Sequence, residues 1–327
     1  MEVILHIGPH KTGTTALQSH LSAAGLVDAC YPVGGRLSPD GTLALGHHPL
    51  ARLLRSKHTP RSELESIASA IRAESSDAAV VILSSEAFML AGPEAIARTR
   101  WFLDRLRPER IRVIAYLRES LSHSASLFQD KVHTYTEEYS FPDFLRRSRE
   151  LDLGTLRGLW SPVGRLILRP YDRSLFTGGD ITSDFGATIG VALGAVRAGS
   201  RDPNPSIGGN LLVVKAILNN VGIGDRAARL PLRRLAREDA RFRGRFRIPP
   251  GFSRDFRAAS QLNHELVLLF PDLPMRDLSA DPMVPDAATF EADVALIADR
   301  MSLMEEEVRA VMSAADRVGP WFLNDIA

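Results

Sequence analysis

The sequence is poor in cysteine, in net charge and in long apolar runs, and each shortage excludes a class of protein. The single cysteine, Cys30, cannot form an intramolecular disulfide or a thiolate metal site, which excludes disulfide-stabilised folds and zinc fingers. A formal net charge of +1 gives no overall attraction for nucleic acid or membranes, so any anion site must be local. No apolar run is long enough to span a bilayer, and no signal peptide precedes the first apolar segment. We therefore expect a cytoplasmic protein that neither binds nucleic acid nor inserts stably into a membrane.

The composition is that of an ordinary globular protein, with 45% hydrophobic and 24% charged residues. Apolar runs of strand length alternate with amphipathic segments of helix length over residues 1–200, which predicts βαβ units around a parallel sheet. The predicted strands are Val3–Ile7, Ala79–Leu83, Ile111–Leu117 and Arg165–Arg169. The predicted helices among them are Thr14–Ala24, His47–Arg55, Arg61–Glu74, Glu94–Leu106 and Leu121–Thr134.

The strand pattern stops near Asp202-Pro203-Asn204-Pro205, and helical periodicity replaces it. The later predicted helices are Leu211–Asn220, Arg254–Phe270 and Phe290–Ala314. We predict a single domain over residues 1–327, with an α/β core over residues 1–200 and a helical extension over residues 201–327.

The strongest functional signal is the loop that follows the first predicted strand, Gly8-Pro9-His10-Lys11-Thr12-Gly13-Thr14-Thr15. It leads directly into the first predicted helix, and such a loop forms a cradle of N–H groups for a phosphate-like anion. The glycine spacing is that of a P-loop. A nucleotide triphosphatase, however, has lysine immediately after the second glycine, where this chain has Thr14. Here the lysine lies inside the loop, at position 11.

Moving the lysine changes the chemistry that the loop favours. An ammonium inside the loop lies near the junction of a 5'-phosphate and the group being transferred, where it can stabilise the leaving oxygen without a metal. The run Lys11–Thr15 resembles the 5'-phosphosulfate loop of sulfotransferases that use 3'-phosphoadenosine 5'-phosphosulfate (PAPS), especially their bacterial members. The resemblance implies a P-loop-like fold in which Lys11, Thr12, Gly13, Thr14 and Thr15 bind the donor.

A second motif agrees with the resemblance. Arg118 follows the strand Ile111–Leu117, and Ser126 lies eight residues later on the next predicted helix. In the sulfotransferase family an arginine and a serine at this spacing bind the 3'-phosphate of PAPS, which implies the same role for Arg118 and Ser126. Relatives commonly have proline after the arginine, whereas this chain has Glu119, so the turn can differ in shape. Other segments that look like the bacterial family are Leu168–Tyr171, Gly178–Phe185, Asn204–Ser206 and Gln261–Asn263.

Sulfuryl transfer to a hydroxyl needs a group that accepts the acceptor's proton. Glu86 is the first candidate, because it follows the strand Ala79–Leu83 and should lie at the same sheet edge as Lys11 and Arg118. His47 and His48 are the second candidates, since histidine titrates near neutral pH. His10 lies within the loop, where it can touch the sulfuryl group. We predict no metal site, because no third ligand stands at a suitable spacing from the paired histidines.

The sequence thus predicts a sulfotransferase that moves a sulfuryl group from PAPS to a hydroxyl or amine of a glycan, lipid or small molecule. The nine arginines of Gly222–Pro250 could attract an anionic acceptor, although such runs are more often solvated helix faces. Two other interpretations stay open. One is a P-loop kinase or nucleotide triphosphatase with Thr15 holding Mg²⁺, and the other is a nucleotide-binding protein that lacks a working base.

Overall fold

The computed structural model describes residues 1–24, 26–134, 141–194, 206–220, 230–243, 250–275 and 287–323. They form an α/β protein with one five-stranded, all-parallel sheet and helices around it. The strands are β1 (Glu2–His6), β2 (Ala29–Cys30), β3 (Val80–Ser84), β4 (Arg110–Leu117) and β5 (Arg165–Pro170), in the spatial order β2-β3-β1-β4-β5. The α/β class and the parallel sheet are as predicted. Residue 200, the predicted boundary, lies outside the described residues. So do Asn204 and Pro205 of the motif Asn204–Ser206.

Helices flank the sheet and make up most of the described chain. In order they are α1 (Thr14–Ala23), α2 (His48–Arg55), α3 (Arg61–Glu74), α4 (Pro93–Arg105), α5 (Ser120–Thr134), α6 (Phe141–Arg147), α7 (Leu153–Trp160) and α8 (Ile181–Ile189). They continue with α9 (Gly209–Asn220), α10 (Leu232–Glu238), α11 (Pro250–Ala259), α12 (Gln261–Leu269), α13 (Phe290–Met301) and α14 (Glu305–Leu323). Within the described ranges, no helix is both long enough and apolar enough to cross a membrane.

The chain divides into two compact units. The first contains Met1–Arg118, Leu151–Ser200 and Glu265–Pro274, and it holds the sheet. The second contains Glu119–Glu150, Arg201–His264 and Met275–Ala327, and its described elements are helical apart from the isolated bridge between Ile207 and Arg243.

The centre of the sheet in the first unit is buried on both faces, which explains why residues 3–5, 81–83 and 113–117 are continuous apolar runs rather than alternating ones. Ile4, Ile82 and Ile114 belong to one apolar cluster with residues of α1 and α8. Val3, Leu5, Val81, Leu83, Val113 and Ala115 alternate with them along the strands and are also fully buried. The strand β1 lies in the centre, with Leu5 opposite Leu83 on one side and Val113 on the other.

The core of the second unit is built around α9, whose residues Gly209–Asn219 are all buried. Side-chain amides tie this helix to its neighbours: Asn219 donates to the carbonyl of Val132 (2.9 Å), and Asn210 donates to Asp293 Oδ2 (2.8 Å). Lys215 lies on the same helix with no exposed surface, and its ammonium donates to Asn219 Oδ1. Burial of the charge lowers the pKa of Lys215 to about 8.

This buried lysine predicts how the stability of the second unit depends on pH. The folded pKa of about 8 is below the ordinary value of 10.5, so the unfolded chain binds the proton more tightly and stability should rise between those pH values. Lys215→Met should abolish that rise and increase the free energy of unfolding at pH 7 by about 1 to 3 kcal/mol. Urea denaturation followed by circular dichroism at pH 7 and pH 10 measures both effects, with the exposed Lys57→Met as control. A loss of stability at pH 7 would show that the bond to Asn219 outweighs the burial of charge.

Two predicted helices are each divided in the structure. The segment predicted as Arg254–Phe270 is interrupted between α11 and α12 at Ser260, whose hydroxyl accepts from Asn263 N (3.0 Å) and donates to Glu150 Oε1 (2.6 Å). The segment predicted as Phe290–Ala314 is interrupted after α13, where Ser302 adopts the left-handed conformation (φ 53°). The hydrogen bonds of a serine side chain end the first helix, and the left-handed backbone of a serine ends the second. The apolar periodicity of the sequence continues through both places.

Candidate functional site

The candidate site lies in the first unit, where the carboxyl ends of the parallel strands meet at one edge of the sheet. The segment Gly8–Gly13 follows β1, Glu86 follows β3, and Arg118 follows β4. After β1 the chain forms β2 and β3, which lie on one side of β1 in the sheet. After β4 it forms β5, which lies on the other side. The carboxyl ends of β1 and β4 therefore flank a topological switch point, where open α/β sheets bind ligands.

The loop after β1 is held in a conformation that most residues avoid. Gly8, Lys11 and Gly13 all have positive φ angles, of 89°, 63° and 73°. The hydroxyl of Thr12 donates to the carbonyl of Pro9 (2.6 Å) and closes the loop on itself. A non-glycine residue in the left-handed region costs free energy, and such strain is concentrated at functional sites. Lys11, the residue to which the sequence gives the central role, is the strained non-glycine residue of this loop.

The amino terminus of α1 is suited to an anion. Its N-cap is Gly13, which provides no side-chain cap, whereas Asp152 and Asp180 cap α7 and α8 by accepting first-turn N–H groups. In the part of the chain that the structure describes, the hydroxyl of Thr14 is buried without a hydrogen-bond partner. Thr15, the next residue, is exposed. A buried unpaired hydroxyl beside an uncapped helix end is the arrangement that an anionic ligand would complete.

Arg118 is bonded to the loop. Its Nη1 donates to the carbonyl of Lys11 (3.0 Å), and its guanidinium lies over the ring of Tyr171, 5.6 Å from the centroid. Tyr171 directly follows β5 and also borders the loop, because a Cβ added to Gly13 would lie 3.0 Å from its Cε2 atom. The structure therefore joins Arg118 to the backbone of the loop that contains Lys11, although the sequence assigned the two residues to different phosphates. Tyr171 was assigned no role, although it lies within the segment Leu168–Tyr171 that looks like the bacterial family.

Glu86 lies against the same loop. A Cβ on Gly8 would be 2.8 Å from both Cα and Cβ of Glu86, so position 8 accepts glycine alone without displacement. The carboxylate, 19% exposed, lies between two histidines: Oε1 is 3.8 Å from Nδ1 of His10, and Oε2 is 3.6 Å from Nδ1 of His48. Gln18 of α1 completes the group, with its Nε2 3.5 Å from Glu86 Oε2. We call His10, Gln18, His48 and Glu86 the Glu86 cluster.

The two adjacent histidines have different surroundings. His48 is half-buried, and its Nδ1 lies 2.7 Å from the hydroxyl of Ser85. Burial lowers the pKa of His48, although the Glu86 carboxylate opposes this, so the ring stays neutral near pH 7. His47 is fully buried and its Nδ1 accepts from the backbone N–H of Ser84 (3.2 Å). Burial lowers the pKa of His47 to about 3, and its ring acts as a neutral structural acceptor.

Gln18 was missed at the sequence level, because an amide on a buried helix face gives no signal of chemistry. Its Nε2 lies 3.2 Å from the hydroxyl and 3.3 Å from the carbonyl of Ser84, as well as near Glu86. The Ser84 hydroxyl in turn is 2.8 Å from Nδ1 of the buried His6. The side chain of Gln18 thereby links the first turns of α1 to the end of β3 and fixes the position of the carboxylate.

Glu119, the residue that follows Arg118 in the sequence, has a structural role in the second unit. Glu119 is buried, and its carboxylate caps α5 by accepting from the N–H groups of Leu121 (3.0 Å) and Ser122 (2.7 Å). Asn263 Nδ2 also donates to it (3.0 Å). Ser126 lies on α5 and is 8% exposed. That Ser126 and Arg118 together bind one phosphate stays a prediction.

The arginine-rich stretch is described in part, since residues 221–229 and 244–249 lie outside the described ranges. Among the described arginines, Arg234 pairs with Glu238 (2.9 Å), Arg233 pairs with Asp130 (3.4 Å) and Arg241 pairs with Asp239 (2.7 Å). These pairs favour the interpretation as a solvated helix face over that as an anion-binding surface.

Across the residues that the structure covers, no three His, Cys, Asp or Glu side chains are grouped so that they could hold a metal ion. No protein-family model, curated protein or solved structure matches this chain. The residues that bear on function are therefore those of the loop, Arg118 and the Glu86 cluster.

Proposed function

We propose that this chain is a sulfotransferase that binds PAPS in a P-loop-like site of the first unit and transfers its sulfuryl group to a hydroxyl or amine. The observation that carries the proposal is the contact between Gly8 and Glu86. It places a candidate base directly against the loop that contains Lys11. A transfer site needs a cation for the leaving group and a base for the incoming nucleophile in one place.

The donor would bind through its two phosphate-bearing ends. The loop Lys11–Thr15 and the uncapped end of α1 would hold the 5'-phosphosulfate, with the buried hydroxyl of Thr14 as one donor. Arg118, bonded to the carbonyl of Lys11, would take the 3'-phosphate through charge-assisted hydrogen bonds. Both assignments use residues of the first unit.

The transfer step then follows from the chemistry of a sulfuryl group. The acceptor oxygen or nitrogen attacks sulfur while the bond between sulfur and the bridging oxygen breaks. The electron pair of that bond stays on the 5'-phosphate of adenosine 3',5'-bisphosphate, where the ammonium of Lys11 stabilises it. The acceptor's proton passes to Glu86.

Glu86 is a better base than His48 in this arrangement. It packs directly on the loop at Gly8, and three polar side chains orient its carboxylate. The half-buried His48, neutral near pH 7, is held by Ser85 and lies beside the carboxylate. We therefore assign His48 to positioning Glu86 and to accepting the proton from it.

The kinase interpretation gains no support from the end of β3. A Walker-B aspartate would stand there, where this chain has Ser84 and Ser85. Both hydroxyls are engaged inside the protein: that of Ser84 lies 2.8 Å from His6 Nδ1, and that of Ser85 lies 2.7 Å from His48 Nδ1.

The proposal is tested by comparing nucleotides and then measuring transfer. Calorimetry should show that adenosine 3',5'-bisphosphate binds more tightly than either ATP with Mg²⁺ or adenosine 5'-monophosphate. Labelled sulfate from PAPS should then enter a panel of hydroxyl and amine acceptors in the presence of EDTA. Preference for ATP with Mg²⁺ would favour the kinase interpretation, and binding without any transfer would favour the non-catalytic one.

Arg118→Ala should weaken binding of the bisphosphate by roughly ten- to 150-fold, because a charge-assisted phosphate contact contributes about 1.5 to 3 kcal/mol. Adenosine 5'-monophosphate, which has no 3'-phosphate, should bind the variant almost as well as the wild type. The exposed Arg165→Ala is the matched control and should change neither affinity. Equal losses for both nucleotides would remove Arg118 from the 3'-phosphate site.

A further inference from the structure

Helix α2 carries two arginines on the face that begins with His48 of the Glu86 cluster. Arg52 and Arg55 follow His48 by one and two turns of this helix, and residues at these spacings share one face. With a rise of about 1.5 Å per residue, Arg52 lies about 6 Å and Arg55 about 10 Å along the helix axis from His48. We call Arg52 and Arg55 the α2 arginine pair. The face that holds this pair therefore starts beside Glu86 and runs away from it.

The α2 arginine pair is exposed, because the other face of the helix packs in the core. That other face consists of the buried residues Pro49, Leu50, Ala51 and Leu54. Both arginines of the pair are exposed. Arg98 of α4 fixes the end of the helix by donating to the carbonyls of Leu54 (3.1 Å) and Thr59 (3.1 Å). The two guanidinium groups thus extend into solvent from a fixed backbone.

The positive charge of the pair is not neutralised by carboxylates near it in the sequence. No aspartate or glutamate occurs between Asp40 and Glu63. Among the residues that the structure describes, the side chains of the pair form no hydrogen bond or ion pair. On α4, in contrast, Arg100 pairs with Asp104 (3.1 Å). Two adjacent cations without a counter-charge create a local positive potential that attracts anions.

The pair lies close enough to the Glu86 cluster to act on it electrostatically. Burial is the main cause that lowers the pKa of His48, and the positive charge of Arg52 lowers it as well. Nδ1 of the same His48 ring lies 3.6 Å from Oε2 of Glu86. A molecule bound at Arg52 is therefore within reach of the carboxylate to which we assign the role of base.

The chemistry of arginine indicates what this face binds. A guanidinium group forms paired, charge-assisted hydrogen bonds with oxyanions such as carboxylate and phosphate. We propose that the α2 arginine pair binds the acceptor, and that the acceptor carries a carboxylate, sulfate or phosphate roughly 6 to 10 Å from its nucleophilic hydroxyl or amine. The apolar side chains of α2 are packed in the core and leave no apolar face to enter a bilayer, which favours a dissolved acceptor over a lipid surface. The inference rests on the proposed sulfotransferase function.

A series of ω-hydroxy carboxylates from hydroxybutanoate to hydroxydecanoate, each compared with its neutral primary amide, tests the inference. Transfer from labelled PAPS is measured at pH 8, where the lowered pKa of His48 leaves its ring neutral. The wild type should prefer the carboxylate by roughly five- to 25-fold in kcat/KM, because each exposed ion pair contributes up to about fivefold. The preference should be largest at intermediate chain length, where the hydroxyl reaches Glu86 while the carboxylate lies at the pair. Calorimetry with the bisphosphate-bound protein measures binding of the same compounds independently of transfer.

The double variant Arg52→Gln with Arg55→Gln should reduce the preference for the carboxylate to below about twofold. Its rates with the amides and its affinity for adenosine 3',5'-bisphosphate should stay those of the wild type, because the pair contacts only the anionic group. The matched control is Arg157→Gln with Arg165→Gln, which removes the same charge from two exposed arginines outside α2. This control should keep the full preference.

The outcomes separate this inference from the function on which it rests. If the wild type does not bind the bisphosphate, the proposed function fails and the inference fails with it. If the wild type binds the bisphosphate but binds and sulfates the carboxylates no better than the amides, the α2 arginine pair is not the acceptor site. If the double variant keeps the preference and loses only stability to urea, the pair serves the carboxyl end of the helix dipole, and the inference is overturned. Loss of binding to phosphatidylserine vesicles with an unchanged preference would overturn it in favour of a lipid surface.

Discussion

Replacing Lys11 with alanine should lower single-turnover sulfate transfer by roughly 10² to 10³, the scale for losing one preorganised donor at a developing oxyanion. In the proposed mechanism the ammonium stabilises charge that appears on the bridging oxygen only as the bond to sulfur breaks, so its removal should affect the transition state more than the bound donor. Affinity for adenosine 3',5'-bisphosphate should fall less, because in the proposed site the end of α1 and Arg118 would still bind the phosphates. Rapid-quench transfer measured beside calorimetry separates the two effects.

Three further variants test this prediction and control for it. Lys11→Arg should recover little, since a planar guanidinium does not replace a compact ammonium inside a closed loop. Lys11→Gly should be as inactive as the alanine variant but more stable to urea by about 1 kcal/mol, because glycine relieves the positive φ of 63°. Lys57→Ala, at an exposed lysine elsewhere, should behave as wild type. Near-normal turnover in folded Lys11→Ala would falsify the proposed mechanism.

Glu86→Gln should lower turnover by roughly 10² to 10⁴ while leaving the affinity for adenosine 3',5'-bisphosphate unchanged, because general-base catalysis contributes on that scale. Glutamine keeps the volume that packs on Gly8 and can still contact Gln18, so the fold should be preserved. Rates measured with an acceptor hydroxyl test this directly. Glu63→Gln, an exposed carboxylate in the first turn of α3, is the control.

The pH dependence gives a second measurement of the same assignment. Burial lowers the pKa of His48, so its ring should stay neutral, and transfer should stay active, at pH values below the ordinary histidine value of 6.5. At still lower pH, protonation of His48 places a cation 3.6 Å from the carboxylate and weakens it as a base. His48→Gln should remove this acidic limb from the profile. If Glu86→Gln is as active as wild type while His48→Gln is inactive, His48 is the base.

The parallel sheet could be predicted from sequence, and so could the sheet edge at which the candidate residues lie, because both depend on local patterns. Residues 80–83 and 113–117 are continuous apolar runs, and parallel strands put their carboxyl ends at one edge. The approach of Glu86 to the loop of Lys11 follows from that rule together with adjacency of β1 and β3.

Other features depend on contacts between distant segments, and local pattern does not report them. The strand β2 consists of Ala29–Cys30 alone, which is too short for any periodicity. Gln18 acquires its place beside Glu86 only through the pairing of β1 with β3, and Tyr171 reaches Gly13 only through the position of β5. The break at Ser260 requires Glu150, more than a hundred residues earlier in the chain.

The helix α5 has a consequence for synthesis of the chain on the ribosome. Its apolar side chains Leu121, Ala125, Phe128 and Val132 share one core with α9, which ends at Asn220, 86 residues after Thr134. At roughly 5 to 20 residues per second, α5 emerges roughly 4 to 17 s before α9 is made. During that interval the apolar face of α5 lacks its contacts with α9, and a nascent chain in this state is expected to be a substrate for chaperones that recognise exposed hydrophobic segments.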